Sequence, residues 1–280
     1  WQACHNSSQD GEVVLEMNRQ GSQKVGMGRA LSENARVAEL FERANAVLGY
    51  DLATLCFDGP DEKLTNTLYA QPALLTVDVA AFYAAKQRGL EANMTAGHSL
   101  GEYAALVAAG ALEFEDALRL VKRRAELMSE APKGTMAALI GLADEAVPQV
   151  LETASAEGLV VAANWNSPGQ VVVSGDENGV EAAMRIAKEN GAKMAVPLPV
   201  SGAFHSPLMQ AAGDEMSTLI ADAPFTDAQI PVYQNTTAKP ATDASELKAA
   251  LQGQMTGAVR WTETVRAMIE GGATQFYELG

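Results

Sequence analysis

The chain has 280 residues, 48% of them hydrophobic, enough to fill one large domain or a large and a small one. Its 20 Lys and Arg against 35 Asp and Glu leave a formal charge of −15, which excludes the basic footprint of a general nucleic-acid binder. No apolar run approaches a membrane span, and two cysteines with three scattered histidines argue against a disulfide framework and a zinc site.

The first residues, Trp1-Gln2-Ala3-Cys4-His5, lack a basic stretch followed by an apolar one. No secretory signal is therefore expected, and a reducing cytoplasm is the expected setting. Val13-Val14-Leu15 reads as a strand core. Residues 24–58 and 68–88 read mostly as helices. Met94-Thr95-Ala96 is a short strand candidate, less apolar than a central strand should be because of Asn93 and Thr95. It leads into Gly97-His98-Ser99-Leu100-Gly101, a G-x-S-x-G pattern. In a nucleophile elbow of this form, a strand turns sharply into a helix and exposes a serine hydroxyl at the turn. The flanking glycines suit a turn too tight for a Cβ, and the helix that follows aims free N–H groups at the space before the serine. Leu100, Tyr103, Ala104, Val107, Ala108 and Ala111 repeat at helical spacing, so a helix starts where the elbow needs one. A glycine-rich helix entry without chemistry is the alternative reading of the pentapeptide alone.

Residues 113–130 predict a further helix, with Glu113, Glu115 and Asp116 at its favourable end. The rhythm then changes. Thr135–Leu142 reads as a strand and Asp144–Ala156 as a helix. Val160–Ala163 and Gln170–Ser174 read as strands joined by a loop containing Asn166-Ser167-Pro168-Gly169. Glu177–Asn190 reads as a helix ended by Gly191, and Met194–Leu198 as a last strand. The order β-α-β-β-α-β is that of a ferredoxin-like unit, inserted into a larger α/β domain whose sheet resumes after it.

A serine nucleophile needs a base. His205, in the glycine- and proline-containing loop Ser201-Gly202-Ala203-Phe204-His205-Ser206-Pro207, is the candidate; a satisfied core or surface histidine is the alternative. On a helical wheel Ala117, Leu120, Val121, Leu127 and Met128 fall within about 60° of Arg124, so this arginine points where the core should be. A buried guanidinium must be paired, either with a core carboxylate or with the carboxylate of a substrate gripped by two parallel hydrogen bonds. No acidic residue is marked as the third member of a triad, since Asp116, Asp144 and Asp176 all read as helix-start or turn residues.

Several stretches together resemble one family. They are Gln20-Gly21-Ser22-Gln23, Gln71-Pro72-Ala73-Leu74-Leu75, the run GHSLGEYAALVAAGAL, Arg124, AANWNSPGQVVVSG, GAFHS and Val259-Arg260-Trp261, spread in family order from Gln20 to Gly280. The family is the malonyl-CoA:acyl carrier protein transacylases, the acyltransferases of fatty-acid and polyketide synthesis. The resemblance implies an α/β-hydrolase-like core with a parallel sheet, formed by residues 1–132 and 201–280, and a ferredoxin-like subdomain over 133–200. It implies that Ser99 is acylated and that His205 is general base and then acid. Arg124 would bind the malonyl carboxylate, and the backbone N–H groups of Gln20 and Leu100 would form the oxyanion hole. The backbone carbonyl of Gln254 would orient His205, which explains the missing acid. Phe204 resembles the version that selects malonyl over methylmalonyl by crowding an α-methyl group. The implied partners are malonyl-CoA and acyl carrier protein, with no metal or organic cofactor, because a thioester is already activated. An acidic carrier would need a basic rim, for which Arg119, Lys122, Arg123, Lys188 and Lys193 are candidates. The chain departs from the family at Met17-Asn18-Arg19, where Phe-Pro-Gly is usual, and at Gly257-Ala258, where a proline is common. A serine thioesterase or other hydrolase, and a non-catalytic relative that only docks carrier proteins, are the other readings of the same residues.

Overall fold

A computed structural model describes residues 12–17, 21–200 and 202–280. Gln20, Cys4 and His5 lie outside the described residues, so the expectations attached to them are not addressed by the structure.

The larger sheet has five strands, β1 (Glu12–Met17), β2 (Met94–Gly97), β7 (Val232–Tyr233), β8 (Pro240–Ala241) and β9 (Ala273–Leu279), in the order β8-β7-β2-β1-β9. β1 pairs in parallel with β2 and β9, and β2 with β7; β8 closes the edge antiparallel to β7. β1 carries the expected Val13-Val14-Leu15. Its alternation sends Val14 to one face, with Met94, Ala96, Tyr233 and Met268, and Leu15 and Met17 to the other. That second face meets the main core, built with α1 (Ala35–Leu48), α4 (Thr67–Gln87), α5 (Gly101–Ala108) and α6 (Phe114–Glu130). The region 24–58 is more broken than expected: turns and a short 3-10 turn precede α1, and α2 (Leu52–Asp58) follows it, with α3 (Asp61–Thr65) beyond.

β2 is central and wholly buried; its one polar side chain, Thr95, has a backbone partner in β1, and the exposed Asn93 just before the strand also bonds to β1. The Thr95 hydroxyl donates to Leu15 O at 3.0 Å, and Asn93 Oδ1 accepts from Val13 N–H at 3.0 Å. α4 is apolar nearly all round, as a helix enclosed by others must be, and it carries the buried Gln71 into the interior.

The smaller sheet comprises β3 (Thr135–Ile140), β4 (Val160–Ser167), β5 (Gln170–Gly175) and β6 (Met194–Pro197), antiparallel throughout, in the order β4-β5-β3-β6. Helices α7 (Val147–Ala154) and α8 (Glu177–Glu189) share its core, giving the ferredoxin-like arrangement. β4 runs four residues further than expected and absorbs Asn166 and Ser167. The reversal is made at Pro168-Gly169, where Gly169 takes a φ of 75°. Asp144 accepts from Gly169 N–H, and Asp176 caps α8 by accepting from Gly179 N–H, which accounts for both acids locally.

The two units are stitched where β4 meets the stretch before α11 (Trp261–Glu270). Val259 N–H donates to Ala163 O, Trp165 N–H to Val259 O, and Thr262 Oγ1 to Trp165 O. No helix among the described residues is long and apolar enough to cross a membrane.

Candidate active site

Ser99 stands between the end of β2 and the start of α5, at a φ of 54° that L side chains rarely adopt. Gly97 makes the turn possible, since a Cβ there would lie 2.1 Å from the carbonyl of Gly101. Leu100, 1% exposed, is the first residue of the turn and places its N–H among the unsatisfied donors of a helix start. The turn is fastened from below by Asn235, just beyond β7. Its Oδ1 accepts from Ser99 N–H at 2.6 Å and its Nδ2 donates to Gly97 O at 2.7 Å.

His205 arrives from the other side of the small unit. The Ser206 hydroxyl bonds Ala203 O and accepts from Leu208 N–H, fixing the loop just before α9 (Gln210–Asp222). His205 Nε2 lies 2.8 Å from Ser99 Oγ. Nδ1 lies 2.9 Å from the carbonyl of Gln254 and 3.1 Å from that of Gly257. Carbonyls only accept, so Nδ1 carries the proton and Nε2 presents its lone pair to the serine hydroxyl. Burial, and then the Arg124 guanidinium, push the imidazole down to about 3; the two carbonyls oppose this. The ring is neutral at pH 7 and ready to accept a proton.

Arg124 is 1% exposed, as the helical wheel predicts. It donates from Nη1 to Gln71 Oε1, and from Nη2 to Ser99 Oγ at 3.0 Å and Gln254 Oε1 at 3.3 Å. Its Nε has no acceptor among the described residues. A core carboxylate does not pair with it directly. The buried Glu102, whose carboxyl is pushed up to about 7 chiefly by burial, bonds instead to Gln254 Nε2 at 2.6 Å. Gln254 therefore does more than its backbone suggests: its amide also donates to Ser99 O at 2.9 Å and accepts from Arg124. A guanidinium ringed by neutral acceptors, beside a serine and its base, is set up to receive an anion.

Phe204 is half-buried and packs against the main core and against the face of the small sheet that carries Met136, Ala138, Ala163 and Val172. His98 faces the cleft between the units, with Nε2 at 2.8 Å from Asn166 Oδ1 and its ring edge-on to Trp261; Gln170 and Glu278 line the same cleft of about 240 Å³.

The expected basic rim is not assembled on α6. Arg119 pairs with Asp116 on its own helix, whereas Lys122 reaches the carbonyl of Leu48 at the end of α1 and Arg123 pairs with Glu126 and with Glu215 of α9, while Arg124 faces the serine.

Three further residues of the site were assigned no role from the sequence: Gln71, Glu102 and Asn235. Glu102 gave a signal, an acid on a helix whose other positions are apolar. Asn235 gave none, being 136 residues from the serine that it holds.

A model of the acyl transferase domain family matches residues 18–280. The chain is 46% identical over 266 residues to the malonyl CoA-acyl carrier protein transacylase of Bacillus subtilis (strain 168), covering 93% of this chain and 84% of that one. The crystal structure of an acyl carrier protein S-malonyltransferase from Vibrio cholerae is similar at a TM-score of 0.91 and 44% identity, over 96% of this chain and 89% of that one. A malonyl-transacylase in complex with its type II PKS acyl-carrier protein (PlMCAT:AntF) is similar at a TM-score of 0.92 and 39% identity, with the same coverage. With the family model matched over nearly its whole length and a relative this similar along 93% of it, the chain belongs to the acyl transferase domain family, on its malonyl-CoA:acyl carrier protein transacylase branch.

Proposed function

We propose that this chain transfers a malonyl group from malonyl-CoA to the phosphopantetheine thiol of an acyl carrier protein, through a malonyl ester on Ser99. The observation that carries the reading is the convergence on one oxygen: Ser99 Oγ meets both the lone pair of His205 Nε2 and the Arg124 guanidinium.

In the first half-reaction Ser99 Oγ bonds to the thioester carbonyl carbon as His205 Nε2 takes its proton. The oxyanion is met by the N–H of Leu100, with Gln20 as the second donor that the family pattern assigns. Collapse breaks the C–S bond, and the departing sulfur of CoA takes the proton back from His205. In the second half-reaction the carrier's thiol gives its proton to His205 and its sulfur attacks the ester. The C–O bond breaks and Ser99 recovers its proton. The malonyl carboxylate occupies Arg124 throughout, which keeps the acyl group end-on in the pocket. That carboxylate also offsets the cation that lowers the His205 pKa, bringing the imidazole closer to a value suited to both accepting and returning a proton. The residues proposed for the catalytic unit are 1–132 and 201–280, with 133–200 as the inserted subdomain, and the cytoplasm is the proposed setting.

Intact mass after incubation with malonyl-CoA alone tests the reading. A stable single malonyl adduct that is absent from Ser99→Ala is expected. Rapid release of free CoA with no adduct would replace the transferase with a hydrolase. Neither adduct nor release would leave a protein that only docks carriers.

A further inference from the structure

Ser99 sits in a conformation that its own backbone does not favour, and something must hold it there. β7 ends at Tyr233, paired with Ala96 of β2, so the parallel ladder stops just before the elbow. Beyond Gly97, the last residue of β2, the chain at His98 and Ser99 leaves strand geometry, and a continuing strand could not follow it. Asn235 supplies the missing pair from its side chain. A primary amide has one acceptor and one donor end, like a peptide group. Here the acceptor takes Ser99 N–H and the donor takes Gly97 O, so the amide spans the two peptide groups on either side of His98.

The amide is itself fixed. Asn235 is fully buried, and its carbonyl accepts from Arg260 N–H at 2.9 Å. With both ends of the amide matched to partners of opposite kind, a flipped amide would oppose donor to donor and acceptor to acceptor. Ser99 N–H is also committed to this bond and is not an oxyanion donor.

We infer that Asn235 is a positioning residue for acyl transfer: its side-chain amide clamps the two peptide groups on either side of His98, immediately before Ser99, and so fixes the nucleophile between His205 Nε2 and Arg124 Nη2. It touches neither substrate nor base and acts through Ser99 alone, so the inference rests on Ser99 being the acylated residue. Losing the clamp slows attack by Ser99 on any acyl thioester, malonyl or acetyl, and leaves binding of the thioester intact.

The experiment compares Asn235→Ala and Asn235→Ser with Gln234→Ala. Gln234 is the adjacent buried amide; it bonds Leu247 O at 3.2 Å, ties β7 to α10 (Ala244–Gln252) and makes no contact with the elbow. The measurements are Tm, kcat and KM for transfer to holo acyl carrier protein, and the single-turnover rate of Ser99 malonylation by mass. Asn235→Ala should lower kcat and the malonylation rate about 100-fold, with KM for malonyl-CoA within about threefold of wild type. Gln234→Ala should keep kcat within about threefold of wild type while Tm falls. The inference is overturned if Asn235→Ala keeps a wild-type kcat, or if Gln234→Ala loses as much kcat as Asn235→Ala. It is equally overturned if neither Asn235 variant folds, which would make Asn235 a packing residue. A wild-type protein that forms no adduct on Ser99 would instead remove the proposed function beneath it.

Discussion

Replacing Arg124 by alanine should cost malonyl transfer far more than acetyl transfer. Among the described residues the guanidinium donates to neutral oxygens, those of Gln71, Ser99 and Gln254, and its Nε has no acceptor. A malonyl carboxylate replaces neutral acceptors with charged ones. A hydrogen bond to a charged group contributes about 1.5–3 kcal/mol, against about 0.5–1.5 kcal/mol for a neutral one. Two such bonds in a forked contact therefore gain about 2–3 kcal/mol that an acetyl group, ending in a methyl, cannot use. That is a change of about 30- to 150-fold in the ratio of the two kcat/KM values. Both substrates should also share a common loss, because Arg124→Ala removes a donor from Ser99 Oγ and an acceptor's partner from Gln254; the ratio cancels it. The assay is transfer from malonyl-CoA and acetyl-CoA to the same holo carrier protein, at substrate well below KM. Equal losses for the two acyl groups would refute the clamp and return Arg124 to a structural role. Arg124→Lys, which keeps the charge without the fork, should fall between.

Three other outcomes follow from the same geometry. Because His205 is held neutral down to about 3, kcat/KM for malonyl-CoA should stay level from about pH 8 to about pH 5, where a histidine of ordinary pKa would be almost wholly protonated; a loss centred near 6.5 would contradict the burial argument. Glu102, raised to about 7, binds a proton in the folded state that the unfolded chain releases near 4.5. Its contribution to stability is thus full below 4.5 and is lost as pH rises through 7, by up to about 3 kcal/mol. Glu102→Gln should accordingly gain stability relative to wild type over that window in denaturant titrations, and a pH-independent difference would show that the carboxyl does not titrate there. Phe204→Ser should raise the ratio of methylmalonyl to malonyl transfer by about 10-fold or more if the ring crowds an α-methyl group, and an unchanged ratio in competition assays would remove Phe204 from selectivity.

The parts of the site that the sequence made legible are those whose constraints are local. The elbow is specified by five consecutive residues, because a tight turn demands Gly97 where a Cβ would strike Gly101. Arg124 is legible because its seventeen-residue helix is amphipathic and the arginine falls on the wrong face. The ferredoxin-like unit shows through its change of rhythm. β2 is hard to read as a central strand because Asn93 and Thr95 both look like surface residues; Asn93 is one, just before the strand, whereas Thr95 is buried and satisfied by Leu15 O. Asn235 was invisible because nothing near it in the chain refers to Ser99. The α6 cations were read as an open rim because charges in a sequence carry no partners; the fold gives Arg119 and Arg123 acids. Gln254 was reachable only through resemblance, since every residue has a carbonyl and no side-chain type marks the one that is used.

The use of that carbonyl follows from charge. A triad carboxylate at His205 Nδ1 would stabilise the imidazolium, which helps when the only charge to manage is the one formed during attack. On the proposed mechanism the substrate brings its own carboxylate within reach of the same serine, and Glu102 already sits one amide away behind Gln254. A permanent carboxylate beside this single buried cation would weaken the proposed hold of Arg124 on the malonyl group by competing for it. The carbonyls of Gln254 and Gly257 fix the tautomer and the ring plane of His205, the part of the triad acid's task that does not need charge. What they forgo in stabilising the imidazolium, a malonyl carboxylate bound as proposed would restore in part by screening Arg124 from the ring. The substrate would thus supply some of the negative charge that a triad acid would otherwise hold permanently. On the proposed mechanism an acetyl group would supply none, so the expected discrimination against it should reside in the His205 proton transfer as well as in the Arg124 fork.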